Sequence, residues 1–243
     1  MFSLYRQKGT AHLVISGPYE FLADDPFVYG HRASGSAKNS MPDKAAALVA
    51  LASHNLLRVD VGWLSSKAAK WLRDASGSLP NGYLEVSQKP VTRILDSKAG
   101  AIGVVLFPEG KIPGQGPSQE QIREVLTAAE AIRGKVRLLV GVSPWGYVAE
   151  RNFISKDARG VFGCIMGGGE GVGFSHSLQE NPGVLWLRPD TQGRTVNVLE
   201  ILELPALGES PRWKENTTFR ASLEFLDGSF PSDPQMRNII GNP

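Results

Sequence analysis

Four polar residues carry most of the chemistry this sequence offers. Asp60, Glu109, Glu170 and His176 each fall near the end of a predicted strand, where α/β proteins place their functional groups. Together they could form a single-metal or an acid–base site. His176 lies between Ser175 and Ser177, a base beside two hydroxyls, but no G-x-S-x-G turn accompanies it and a Ser-His-Asp triad is not supported. His12, His31, His54 and His176 form none of the HxH, HExxH or HxxxH spacings that hold metals. The single cysteine, Cys164, excludes an internal disulfide, a cysteine-based structural zinc site and a CxxCH haem attachment. It sits in an apolar run and reads as a small buried hydrophobe.

Two further stretches matter because of where they stand. Arg137 to Val142 is an apolar run with β-branched content, ended by Ser143-Pro144-Trp145-Gly146. Val161 to Met166 is a second such run, followed directly by Gly167-Gly168-Gly169-Glu170-Gly171. Both predict strands buried on two faces, with a short helix between them. The turn and the glycine loop then stand past the carboxyl ends of strands, where ligands bind in α/β sheets, and glycine lets the backbone approach a ligand or a neighbouring strand closely. A tight turn beside a packed strand is the plainer reading of the same residues.

The elements that would position these groups follow in chain order. Ala11 to Ser16 predicts a first strand, closed by Gly17-Pro18. The loop to Arg32 carries Glu20, Asp24, Asp25 and His31, which could hold a cation or simply face water. Pro42-Asp43 opens a helix with proline in its first turn, and Ala45 to Ala52 supplies strong helix formers. Asn55 to Val61 predicts a strand, with Gly62-Trp63-Leu64 beyond its end. Ser65-Ser66 caps a helix through Arg73. Strands are expected over Gly82–Val86, Val91–Asp96 and Ala101–Phe107. Lys111 to Pro117 is a loop punctuated by glycine and proline that lacks the Gly-Lys-Ser/Thr of a P-loop. Ser118 and Gln121 form a capping box for a helix to about Ile132. Gly183–Leu187 and Arg194–Leu204 are expected as successive strands, Thr217–Phe225 as one more, and Pro231–Ile240 as a short helix.

This order of elements, with its surviving glycines, resembles the calcineurin-like metallophosphoesterases, in their 5′-nucleotidase and UDP-sugar hydrolase branch. Ser143-Pro144-Trp145-Gly146 stands where that family has Ser-His-x-Gly, and Gly167-Gly168-Gly169-Glu170-Gly171 where it has Gly-Gly-His-x-His. Gly62-Trp63-Leu64 stands for Gly-Asn-His-Glu, and Pro18 falls near the Asp of Asp-x-His. The family's strand ending in Gly-Asp has no counterpart. The resemblance implies a four-layer α/β/β/α sandwich with mixed sheets over residues 1–226, followed by a connector or tail at 227–243. It also implies two divalent metal ions. At the matching positions stand Pro18, Trp63, Leu64, Pro144, Gly169 and Gly171, none of which offers a side-chain lone pair to a cation. No cofactor is therefore expected, and no catalytic residue of that family is carried over.

The function that follows is a non-catalytic module binding a small molecule, a protein partner or a fused domain at the former metal cleft, through Trp63, Ser143, Trp145, Gly168, Gly169 and Glu170. Trp63, Trp145 and Tyr147 would make that cleft aromatic and dry, or would merely fill it. The alternative is a divergent phosphohydrolase using Asp60, Glu109, Glu170 and His176. The 243 residues carry a formal charge of only +2 and no dense basic run, which argues against a nucleic-acid partner. No apolar stretch reaches the ~18 residues of a membrane span. No signal peptide is visible, whereas the nucleotidase branch of the family is largely extracytoplasmic and implies a periplasmic setting.

Overall fold

The computed structural model describes residues 12–18, 21, 44–110, 116–158, 160–179, 183–190, 195–226 and 233–240. Glu20, Asp24, Asp25, His31, Pro42, Asp43 and the loop at 111–115 lie outside them. Among the described residues the chain is a mixed α/β protein with three sheets and five helices. No described helix is long and apolar enough to cross a membrane. The chain divides into two compact units, one formed by Met1–Glu85 and Phe230–Pro243, the other by Val86–Ser229.

The first unit is built on a three-stranded sheet in the order β1 (Ile15–Ser16), β2 (Val61–Ser65), β3 (Tyr83–Val86), with β1 and β2 parallel. Helix α1 (Lys44–Leu57) and helix α2 (Ser66–Ser76) pack on each other, and the last helix, α5 (Pro234–Ile240), packs on α1. One expectation is corrected here. Asn55–Leu57, expected in a strand, complete helix α1. Ala47 is fully buried and Ala50, Leu51 and Leu57 pack on the same core, so the helical period runs on to position 57. A stretch as short as Asn-Leu-Leu satisfies either period. Arg58 then takes a left-handed φ of 52° and stops the helix.

The consequence is that Gly62-Trp63-Leu64 lies inside β2, not beyond a strand's end. All five residues of that strand are buried. A Cβ on Gly62 would collide with the ring of Tyr83, so glycine is required there by strand packing. Asp60 sits at the amino end of β2, where it latches β1: its backbone N–H donates to Val14 O (2.9 Å) and its Oδ2 accepts from Val14 N–H (2.7 Å). The cap of α2 is as read, with Ser65 Oγ accepting from Ala68 N–H, and Gly77 closes the helix at a φ of 76°. Inside the unit, His54 Nδ1 lies 2.5 Å from the Tyr83 hydroxyl, which donates to Ser16 Oγ at 2.8 Å. The ring centroids of His54 and Phe21 lie 4.3 Å apart with the planes tilted by 31°.

The second unit is built on a six-stranded sheet in the order β4-β5-β6-β7-β9-β8. Its strands are β4 (Val91–Ser97), β5 (Gly100–Leu106), β6 (Leu138–Ser143), β7 (Cys164–Gly167), β8 (Phe174–Gln179) and β9 (Val184–Arg188). β5, β6, β7 and β9 run parallel, and the antiparallel β4 and β8 form the two edges. Helix α3 (Gln119–Arg133) connects β5 to β6 and starts in the expected capping box of Ser118 and Gln121. Its buried residues Ile122, Val125, Ala129 and Ile132 meet Val105, Leu139 and Phe107 in one core with Phe153 and Ile154 of helix α4 (Tyr147–Lys156).

A strand not expected from the sequence, β8, holds His176 in its interior. Gly183–Leu187 and Arg194–Leu204, expected as successive strands, do not pair with each other. β9 has both of its edges taken by β7 and β8, so β10 (Thr195–Ile201) pairs instead with β11 (Phe219–Phe225) as a separate antiparallel ribbon. Asn197 ties that ribbon to β8, its Nδ2 donating to Phe174 O (3.1 Å) and Ser175 O (3.3 Å).

Burial lowers the pKa of His54 from 6.5 to about 4. The fold thus accepts the neutral ring, whose contribution is complete above pH 6.5 and is lost as pH falls from there toward 4, where only the unfolded chain binds the proton. Denaturation midpoints of the full chain measured at about pH 7 and about pH 4.5 are expected to fall less in His54→Gln than in the wild type. An equal drop in both would show that His54 does not set the slope.

Candidate functional site

Because β5, β6, β7 and β9 are parallel, the chain leaves all four at one edge of the sheet. Phe107-Pro108-Glu109 follow β5, Ser143 to Gly146 close β6, the glycine loop closes β7, and Arg188-Pro189-Asp190 close β9. Ser143 and Gly167 are register partners, so the two predicted loops emerge side by side. Backbone bonds zip them together: Gly168 N–H to Ser143 O at 2.8 Å, Gly146 N–H to Gly168 O at 3.1 Å, Tyr147 N–H to Glu170 O at 2.8 Å. The zipper requires positive φ at Gly146 (81°), Gly169 (72°) and Gly171 (119°). A Cβ at Gly171 would meet the Cβ of Tyr147. These glycines are there for loop-to-loop contact.

Beneath the zipper lies an ion pair not expected from the sequence. Glu150 of α4 and Arg188 at the end of β9 are 1% and 2% exposed. Arg188 Nη1 donates to Glu150 Oε2. Trp186 Nε1 donates to the same oxygen at 3.1 Å, Gly168 N–H to Oε1 at 3.2 Å, and Ser143 supplies a further side-chain hydrogen bond. On its other side the guanidinium grips the glycine loop: Nη2 donates to Gly169 O (3.0 Å) and Glu170 O (3.1 Å), and Nε to Val172 O (3.1 Å). Burial pushes the Glu150 carboxyl above the ordinary range, opposed by the charge and hydrogen bonds of Arg188 and by the Trp186 and Ser143 donors. A Cβ on Gly167 would strike both Glu150 Oε2 and Arg188 Nη1, so this glycine makes room for the pair.

Signals for both residues stand in the sequence. Glu150 is on the apolar stripe of α4, three and four positions before the buried Phe153 and Ile154. Arg188 ends a strand whose other four residues, Val-Leu-Trp-Leu, are all apolar and buried. A charge inside such a pattern implies a partner, because a lone buried charge is prohibitively costly.

The residues expected at the site take different places. Ser143 is fully buried; its Oγ accepts from Trp145 N–H at 3.2 Å. Trp145 is 7% exposed and belongs to the core, 4.7 Å from Phe107 and 5.2 Å from Phe153, with Nε1 donating to Pro108 O at 2.7 Å. Tyr147 stacks on Trp186 at 5.2 Å. Gly168, Gly169 and Glu170 act through their backbones, and Glu170 is itself exposed. Glu109 is half-buried, its carbonyl accepting from Gln121 Nε2 at 2.6 Å. His176, expected near a strand's end, is mid-strand in β8. Its Nε2 lies 3.7 Å from Glu215 Oε1, its Nδ1 3.3 Å from Ser175 Oγ, and its ring meets Phe219 edge-on at 5.5 Å. Asp60 and the fully buried Trp63 belong to the first unit.

Asp60, Glu109, Glu170 and His176 thus stand on separate elements. Among the described residues, no three His, Cys, Asp or Glu gather where they could hold a metal ion. Pro144, Gly169 and Gly171 offer no side-chain ligand, Trp63 and Leu64 are packed inside a strand, and the fixed positive charge under the loop is a guanidinium.

No family model matches this chain, and no curated protein matches it in sequence. Solved structures match it in fold. NAD nucleotidase from Haemophilus influenzae aligns over 98% of this chain and 53% of its own length, with 11% identity and a TM-score of 0.53. A hypothetical protein from Thermus thermophilus aligns over 70% of this chain and 78% of its own, at 13% identity and TM-score 0.47. The 5′-nucleotidase from Candida albicans aligns over 77% and 40%, at 11% identity and TM-score 0.45. This chain thus spans about half of the NAD nucleotidase, and the likeness is one of fold.

Removing one partner of the pair leaves the other charged and buried. Arg188→Met is expected to destabilise the protein by about 3–5 kcal/mol. The double variant Glu150→Met/Arg188→Met should regain a large part of that loss, which chemical denaturation of the four proteins in the cycle would read. Gly167→Ala should also destabilise, since its methyl group displaces the pair. A double variant no more stable than Arg188→Met would count against the pairing.

Proposed function

We propose that this chain is a non-catalytic module on the four-layer scaffold of the 5′-nucleotidase-type metallophosphoesterases, and that the carboxyl edge of its six-stranded sheet serves as a fixed binding surface for a ligand or a partner. One observation carries the reading: the loops that would border a two-cation centre are cross-linked from below by Arg188 and Glu150. Two-metal hydrolysis uses a pair of cations to polarise the phosphoryl oxygen and generate hydroxide. Here a buried guanidinium, its charge countered by Glu150, already engages the loop carbonyls that a cation would need. The fold shared with NAD nucleotidase supports the scaffold. The ligand positions filled by Pro144, Gly169 and Gly171 support the loss of its chemistry.

The test is hydrolysis of NAD, 5′-nucleotides and UDP-sugars by purified protein, supplemented in turn with Mn²⁺, Zn²⁺ and Fe²⁺, alongside metal analysis of the protein as isolated. No turnover above the no-enzyme control is expected with any metal, and Arg188→Lys should not create any. Substrate turnover that tracks a stoichiometric metal would overturn the reading and restore the phosphohydrolase alternative.

A further inference from the structure

We infer that Arg188 stands in for a resident cation: its guanidinium organises the Gly167–Val172 loop and fixes it to helix α4, so that the order of this edge is independent of any metal. The inference concerns what holds the loop, and it stands whether or not the edge binds a partner. A divalent cation shaping such a loop would collect carbonyl and carboxylate oxygens. Arg188 collects the carbonyls of Gly169, Glu170 and Val172 and one carboxylate oxygen of Glu150. Those bonds engage Nε, Nη1 and Nη2, so all three guanidinium nitrogens point at loop or helix oxygens.

Three features fit a built-in organiser and are not needed by a loop that merely packs. The guanidinium is 2% exposed, and its charge is countered by Glu150, itself 1% exposed. Glu150 is anchored in turn by Trp186 and by the loop's own Gly168 N–H. Gly167 leaves the space into which the pair fits. A planar fork also suits this set, because Nε, Nη1 and Nη2 each donate to a different oxygen of the loop or helix. Lysine would bring the charge without the fork.

The experiment uses the full chain, with thermal melting and amide hydrogen exchange at Gly168 and Tyr147, whose N–H groups bond to Ser143 O and Glu150 Oε1, and to Glu170 O. In the wild type, EDTA, Mn²⁺, Zn²⁺ and Ca²⁺ should leave both the melting temperature and the protection of these two amides unchanged. Arg188→Lys should lose protection at both by tenfold or more and melt lower by on the order of 10 °C. Should that variant fail to fold, the chelator and metal arms on the wild type still decide. A melting temperature or loop protection that falls on chelation would overturn the inference, as would an Arg188→Lys protein with wild-type protection. Phosphoester turnover is read separately: metal-dependent loop order without turnover would reject the surrogate role and leave the proposed function standing.

Discussion

The second unit depends on a buried opposite charge more than on any one apolar contact. Glu150 and Arg188 come from elements 38 residues apart, and each would be intolerable in the core without the other. Their meeting fixes the azimuth of α4 over β7 and β9, since only one rotation of the helix brings Glu150 to Arg188 while burying Phe153 and Ile154. It also fixes the path of the glycine loop, whose carbonyls would otherwise turn to water. Such a pair contributes less to net stability than its contacts suggest, because desolvation offsets much of the attraction. Its value here is geometric: it permits one arrangement of helix, strand and loop.

The glycines become intelligible in that light. A sequence of five residues with four glycines after a strand invites a ligand-based explanation. Here Gly167 yields volume to the ion pair, Gly169 and Gly171 adopt positive φ, and Gly146 turns the chain into α4 from the same conformational region. Each requirement comes from the protein's own backbone or side chains. The glycines that suggest a ligand loop in the sequence instead bring two loops within hydrogen-bonding distance of each other.

What the sequence disclosed was governed by how local the determining physics is. The capping box at Ser118–Gln121, the Ser65 cap and the buried runs that became β5, β6 and β9 were legible because the pattern and its cause lie within one turn or one strand. The register of Gly62-Trp63-Leu64 was not, because Asn55 to Leu57 fit a strand and a helix about equally, and only packing on Ala47 and Leu51 decides. Strand β8 was hidden by its polar Ser-His-Ser content, which pairs well on a half-buried edge but lacks apolar alternation. The site's polar core was missed for a different reason. Carboxylates and a histidine at strand ends are the usual signal, whereas Glu150 and Arg188 are marked by being charged inside apolar patterns.

On the function proposed above, that distinction bears on how a catalytic scaffold loses its metals. Replacing a histidine ligand by glycine leaves a loop with spare backbone carbonyls at a sheet edge and nothing to gather them. Such carbonyls must find donors or stay wet. A guanidinium at the end of the adjacent parallel strand is well suited to supply them, having five donors, a permanent charge and weaker hydration than an ammonium. Bringing it into the core then requires a carboxylate, and α4 supplies one through the register of its apolar stripe. Loss of the ligands and gain of the pair are, on that reading, two halves of one substitution.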